Sequence, residues 1–258
     1  EFGLPEADPA RNWFLSPRII REQVQAVLEE KVSLFAAALG DPAWVVPQAH
    51  AAGIKVLGLA GSARNAVRQH RAGVDLIVAQ GSEAGGHTGT VGTVVVVPET
   101  VDAVAPTSVL AAGGIVDGRG IAAMLALGAQ GVWIGTAFLA SIESGIYPEH
   151  KAQIVASRAE DFVVTRAYTG KTARDVKNPF IDRWERSGLR ALPMPLQWVL
   201  LREFRARALA GKRYDLLNNP SGQGGGRILD VRPAAEIFAR LVRETEDALD
   251  RLARSVGR

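Results

Sequence analysis

Three places in this chain repeat one short pattern: "AAGIKVLGL" from Ala51, "RAGVDLIVAQ" from Arg71 and "LGAQGVWIG" from Leu127. In each, a helical segment ends at a glycine, which accepts the left-handed conformation of a helix C-terminus, and the chain passes straight into an apolar run. A run that is apolar throughout, rather than at alternate positions, suits a strand covered on both faces. With "VSLFAAALG" from Val32 and "SVLAAGG" from Ser108, five strands are expected, centred near residues 36, 57, 77, 110 and 133. Helices alternating with buried strands are the mark of βα units around a parallel sheet.

The rest of the chain is organised differently. Residues 145–230 carry scattered Pro, Arg and Trp, a helical stretch in "LQWVLLREFRARALAG" and the turn-rich "NNPSGQGGGR". In the final helix, Ile237, Phe238, Leu241, Val242, Ala248, Leu249 and Leu252 are expected on one apolar stripe. A division at 17–144 and 145–258 is therefore expected, the first part a (β/α) sheet domain and the second a helical elaboration packed on it. The opening "EFGLPEADPARNWFLSP" has three prolines and reads as a connector, or as the edge of something longer.

Composition excludes several functions. The 30 basic and 27 acidic residues leave a net charge of only +3, a small surplus among balanced charges, so nucleic acid is not an expected partner. With no cysteine there is no disulfide, thiolate metal site or cysteine nucleophile. No apolar run approaches the roughly 18 to 20 residues of a membrane span, and a cytoplasmic protein is expected.

In parallel α/β folds, ligands collect beyond the carboxyl ends of the strands. There "LIVAQ" delivers Gln80 and then "GSEAGGHTG", residues 81–89. Its glycines let the backbone approach a flat ligand and leave the imidazole of His87 unshielded, able to give or take a proton near neutral pH. The alternative is a glycine-rich turn whose histidine bonds a carbonyl. Glu83 could partner His87, though a solvated carboxylate is the plainer reading. A second segment, "AAGGIVDGRGIAAMLALGAQGVWIGTAFLAS", places Gly114, Gly135 and Thr136 in two strand-to-helix turns on neighbouring strands. Such turns can hold a phosphate on backbone N–H groups, or can be ordinary tight turns. A third, "SGQGGGRI" from Ser221, could close over a ligand or merely connect. The basic stretch "RAYTGKTARDVKN", residues 166–178, could meet an anion or be a solvated loop, and His50, His70 and His150 are expected at the surface.

Together, "VAQGSEAGGHTG", "LAAGGIVDGRGIAAMLALGAQGVWIGTAFLAS" and "RAYTGKTARDVKNPF" closely resemble the nitronate monooxygenase family, also called 2-nitropropane dioxygenases. The resemblance implies a TIM barrel with an added helical portion, FMN held at the strand C-termini, and oxidation of alkyl nitronates by O2 to carbonyl compounds and nitrite. It places Gln80 and Gly85 against the flavin, Gly114, Trp133, Ile134, Gly135 and Thr136 on the phosphate loops, and His87 at the active-site histidine. Gln223 and Gly224 correspond to a glycine-rich loop that reaches the flavin. The partners it implies are a small nitronate and O2, with a homodimer left open. An NAD(P)H-dependent flavin reductase of the same superfamily, a quinone or enoyl-acyl-carrier-protein reductase, is the alternative chemistry; an incomplete, non-catalytic remnant is the other. Eight strands close such a barrel and only five are read here. The chain is thus expected to lack the N-terminal βα units, through truncation or divergence, and either the parent protein is expected to be longer or a partner to cover the open edges.

Overall fold

Alternate residues of the central strands face two different cores, as runs apolar at every position require. In the computed structural model, which describes residues 17–257, Ile77 and Ala79 enter one cluster while Val78 enters another with Leu57 and Ala112. Five strands form one parallel sheet: β1 (Leu34–Ala37), β2 (Lys55–Ala60), β3 (Leu76–Gln80), β5 (Ser108–Ala112) and β6 (Gly131–Val132), in that spatial order. The strand left out, β4 (Gly86–His87), lies just beyond the end of β3. Sequential neighbours, parallel pairing and an intervening helix at each step make this a run of consecutive units of a TIM barrel.

The helices preceding and linking these strands are α1 (Pro17–Glu29), α2 (Val46–Ala51), α3 (Ala63–Arg71), α4 (Thr93–Val104) and α5 (Gly118–Ala126). Local caps start two of them: Ser62 accepts from the Asn65 amide at α3, and Asp117 accepts from Arg119 and Gly120 at α5. The glycines read as helix ends, Gly53, Gly73 and Gly128, have φ of +74°, +85° and +91°. Helix packing against the sheet then buries Val96, Val104, Ala66 and Met124 with the outward residues of the strands.

Residues 145–258 are not only helical. After α6 (Thr136–Leu139) and α7 (Pro148–Ala156), strands β7 (Phe162–Thr165) and β8 (Ala173–Val176) form an antiparallel hairpin, and β4 pairs with β8 to extend it. Helices α8 (Pro179–Ser187), α9 (Leu196–Leu200) and α10 (Arg202–Ala210) follow, so the helix expected over 196–211 is interrupted at Leu201. The last helix, α11 (Ala234–Ser255), packs on α5. Its apolar stripe divides: Ile237, Leu241 and Ala248 are buried, whereas Phe238 is 64% exposed and Val242, Leu249 and Leu252 are also exposed. No described helix is long and apolar enough to cross a membrane. The connector read at residues 1–16 lies outside the described residues.

Candidate active site

The loop after β3 is fixed from four sides. The Ser82 amide donates to Val91 O at 2.8 Å, and Ser82 O accepts from Arg174 Nε and Nη2 at 3.1 and 2.8 Å. Both Glu83 carboxylate oxygens accept from the Thr93 amide, at 3.1 and 3.0 Å, and Oε2 also accepts from the Thr93 hydroxyl at 2.9 Å. Glu83 is therefore neither a partner of His87 nor a solvated carboxylate. It sits at the start of α4, where Gly92 offers no capping side chain and a negative group meets unpaired amides. The fourth tie runs from the Gln223 amide to Glu83 O, 2.9 Å.

Arg174 is 7% exposed and gives its third bond to Phe162 O, 2.6 Å, so one guanidinium joins the hairpin to the loop. The basic stretch 166–178 is consequently not a solvated loop. Its neighbour Asp175 is 3% exposed with Oδ1 unpartnered, and burial pushes its carboxyl up to about 7, opposed by a bond from the Asn219 backbone.

Three glycine-bearing segments meet backbone to backbone. A Cβ on Gly85 would stand 2.6 Å from Gly222 N, and one on Gly224 would stand 2.6 Å from Gly114 O. Gly222 N–H donates to Thr136 Oγ1 at 2.9 Å, tying residues 220–224 to the turn after β6. This closure encloses a cavity of about 300 Å3, whose lining includes Gln80, Gly85, Gly114, Ile134, Gly135 and Thr136. The amides of Gly114, Gly135 and Thr136 make no hydrogen bond to another described residue, which leaves N–H groups for a bound anion. Trp133 also lines this cavity, but its amide is spent on Ala111 O at 2.8 Å. Gly224 lines it as well, whereas Gln223 lies outside the lining and contributes through its amide.

A second cavity, about 760 Å3, adjoins the first through Gln80 and Gly85, which line both. His87 lines it together with Lys171, Arg64, Arg68 and Asp41; Arg68 and Asp41 are paired at 3.0 Å. His87 Nε2 is 3.0 Å from Thr169 Oγ1. Burial holds the imidazole below its ordinary pKa, and the Lys171 ammonium lowers it further, so both favour the neutral ring. The residues read from the sequence thus come together in one two-lobed cleft at the strand ends. Thr93, Thr169, Lys171, Arg174 and Gly222 were not singled out, because their partners are remote in sequence. The 166–178 motif contains three of them, and the segment "SGQGGGRI" from Ser221 contains Gly222. His150, expected at the surface, is buried under the returning chain and donates from Nε2 to Tyr214 O at 3.1 Å. His50 and His70 stay at or near the surface, bonded to Asp75 and Thr107.

Residues 8–244 match the family model described as nitronate monooxygenase. The chain belongs to the nitronate monooxygenase family. Members of this family are oxidoreductases that use a flavin. Among relatives, a Mycobacterium tuberculosis protein named as a monooxygenase is 42% identical, aligned over 100% of this chain and 72% of its own length. A Staphylococcus aureus protein bearing the name nitronate monooxygenase is 35% identical over 86% of this chain, which spans only 65% of that relative. Among solved structures, FabK from Thermotoga maritima superposes with a TM-score of 0.83 at 33% identity, covering 93% of this chain and 76% of that one. The nitroalkane oxidase of Streptomyces ansochromogenes gives 0.82 at 29% identity, covering 91% and 70%.

Proposed function

We propose that this member of the nitronate monooxygenase family binds FMN in the two-lobed cleft and oxidises alkyl nitronates with O2 to carbonyl compounds and nitrite. The observation that supports this most is the junction of the lobes: unpaired amides in the smaller, a neutral histidine in the larger, and Gln80 with Gly85 between them. The residues fit the cofactor. The Gly114, Gly135 and Thr136 amides offer donors for phosphate oxygens, and the absence of a side chain at Gly135 leaves open space there, with nothing within 4 Å of a built Cβ.

When bound, the flavin supplies the electron acceptor. The chain's own residues do the remainder. Gln80, whose side chain makes no hydrogen bond to a described residue, has an amide free to orient a ring that passes from one lobe to the other. Lys171 lowers the energy of a negative charge in the larger lobe, and His87 moves or holds a proton beside it. The size of that lobe and its Arg64, Arg68 and Lys171 favour a second reading, an NAD(P)H-dependent flavin reductase, since a phosphate-bearing reductant would use both.

Anaerobic mixing of the full-length flavoprotein separates them. Bleaching by propyl-2-nitronate and not by NADH or NADPH is expected; rapid bleaching by a nicotinamide would overturn the oxygenase reading. His87→Ala is expected to keep its flavin and lose about 10² to 10⁴ in turnover of the neutral nitroalkane, the range for a positioned acid or base. Unchanged turnover in that variant would remove His87 from the chemistry.

A further inference from the structure

The turn at 169–171 settles which nitrogen of His87 carries hydrogen. Thr169 Oγ1 lies 3.0 Å from the Lys171 carbonyl oxygen, 3.3 Å from the Lys171 amide and 3.0 Å from His87 Nε2. A carbonyl only accepts, and a hydroxyl has one proton, so that proton is committed to Lys171 O. Oγ1 is left as an acceptor for its other two neighbours. His87 Nε2 is therefore the protonated nitrogen.

The other nitrogen, Nδ1, has no hydrogen-bond partner among the described residues and is not among the described side-chain atoms that are both buried and unpartnered. It is accessible at the surface of a side chain that lines the larger cavity, whereas Thr169, on the Nε2 side, is not among the residues lining that cavity. Charge supports the same state. Lys171 on the turn, and Arg64 and Arg68 on α3, face the lobe against the single carboxylate of Asp41 between β1 and α2. Arg174 on β8 adds a cation next to the residue that pairs with His87. Of these cations the Lys171 ammonium acts on the ring, disfavouring an imidazolium and so favouring a free Nδ1 lone pair.

We propose that Thr169 is a positioning residue, which holds His87 as the Nε2–H tautomer so that Nδ1 meets the substrate as an unprotonated base. This rests on the reading of His87 as the histidine of the active site. A lone pair aimed into the lobe attracts a substrate hydrogen and repels an anionic oxygen. The group it suits is the acidic C–H of a neutral nitroalkane: Nδ1 takes the proton, the C–H electron pair becomes the nitronate, and Lys171 remains to balance the new negative charge. Substrate already supplied as nitronate needs no such transfer.

The test compares Thr169→Val, which keeps the shape and loses the acceptor, with Thr169→Ser, which keeps the acceptor. In the full-length protein labelled with 15N-histidine, the nitrogen spectrum of His87 is expected to show hydrogen on Nε2 and none on Nδ1. The valine variant should give mixed tautomers, and the serine variant should restore the original. For a neutral nitroalkane, Thr169→Val should lower kcat/KM by about tenfold, less than the loss of the base itself, with nitronate turnover preserved and Thr169→Ser close to wild type. Hydrogen on Nδ1 in the wild type, an unchanged tautomer in the valine variant, or equal losses on both substrates would overturn the proposal. A wild type that turns over neither substrate would instead remove the proposed reaction, and the nitrogen spectra would still decide the tautomer.

Discussion

Gly85→Ala tests whether the cleft is closed by the contact of residues 220–224 with the loop after β3. The added Cβ would stand 2.6 Å from Gly222 N and from Ser221 C, and 2.7 Å from Ser221 Cα. These are backbone atoms and cannot swing aside. Because carbon contacts are comfortable near about 3.5 Å, the 221–222 segment must retreat by roughly 1 Å. Two bonds hold that segment, from Gly222 N–H to Thr136 Oγ1 and from Gln223 N–H to Glu83 O, each 2.9 Å. The retreat lengthens both beyond useful range. Losing them costs about 1 kcal/mol each, and overpacking adds about 1 to 3 kcal/mol, for a total of about 3 to 5 kcal/mol. At about 2 to 4 °C per kcal/mol for a chain of this size, Tm should fall by about 6 to 20 °C. Thermal unfolding of the full-length protein, with flavin content read from its absorbance, measures this. Gly135→Ala is the control, since its φ of −109° suits any residue and its Cβ meets nothing within 4 Å. It should keep the wild-type Tm of the flavin-free protein yet bind flavin less tightly, its methyl entering the smaller lobe. An unchanged Tm and full flavin content in Gly85→Ala would refute the closure.

Lys171→Met removes the ammonium that disfavours the imidazolium, so the pKa of His87 should rise and the acid limb of the kcat/KM profile should move to higher pH. A limb that stays in place would show that the ammonium does not act on this ring. Asp175→Asn addresses the buried carboxyl whose folded pKa is raised to about 7. Between about 3.9, the unfolded value, and about 7, the folded protein keeps a proton that the unfolded chain has lost, so wild-type stability declines as pH rises through this window and levels off above it. Relative to wild type the asparagine variant should gain stability across the same window, reaching about 4 kcal/mol at pH 8. Denaturant unfolding at pH 4, 6 and 8 checks this; parallel curves for the two proteins would show that Asp175 ionises freely when folded.

The parallel sheet was legible because its signals are local. A glycine with positive φ and the apolar run after it lie within a few residues of each other, as at Gly73 and Leu76–Gln80. The same locality placed Gln80, His87, Gly114, Gly135 and Thr136 at strand ends. The hairpin of β7 and β8 was not legible, since a strand reading "ARDV" has charged residues at two of four positions, yet all four are buried. Burial of Arg174 depends on Ser82 and Phe162, separated from it by 92 and 12 positions, and the Thr169 bond to His87 spans 82. Glu83 looked solvated for the same reason, its acceptors' donors being on Thr93, ten positions on. On α11 the helical period was right, but periodicity does not say how wide a stripe the neighbour will cover.

The clasp formed by residues 220–224 is also the last part of the cleft to be synthesised. A nascent chain leaving the ribosome has the strand ends that carry Gln80, Gly114 and Gly135 long before it has their cover. Until that cover arrives, the smaller lobe is an open gutter. On the proposed reading, retention of a flavin by the growing polypeptide therefore waits until residues 220–224 have been made.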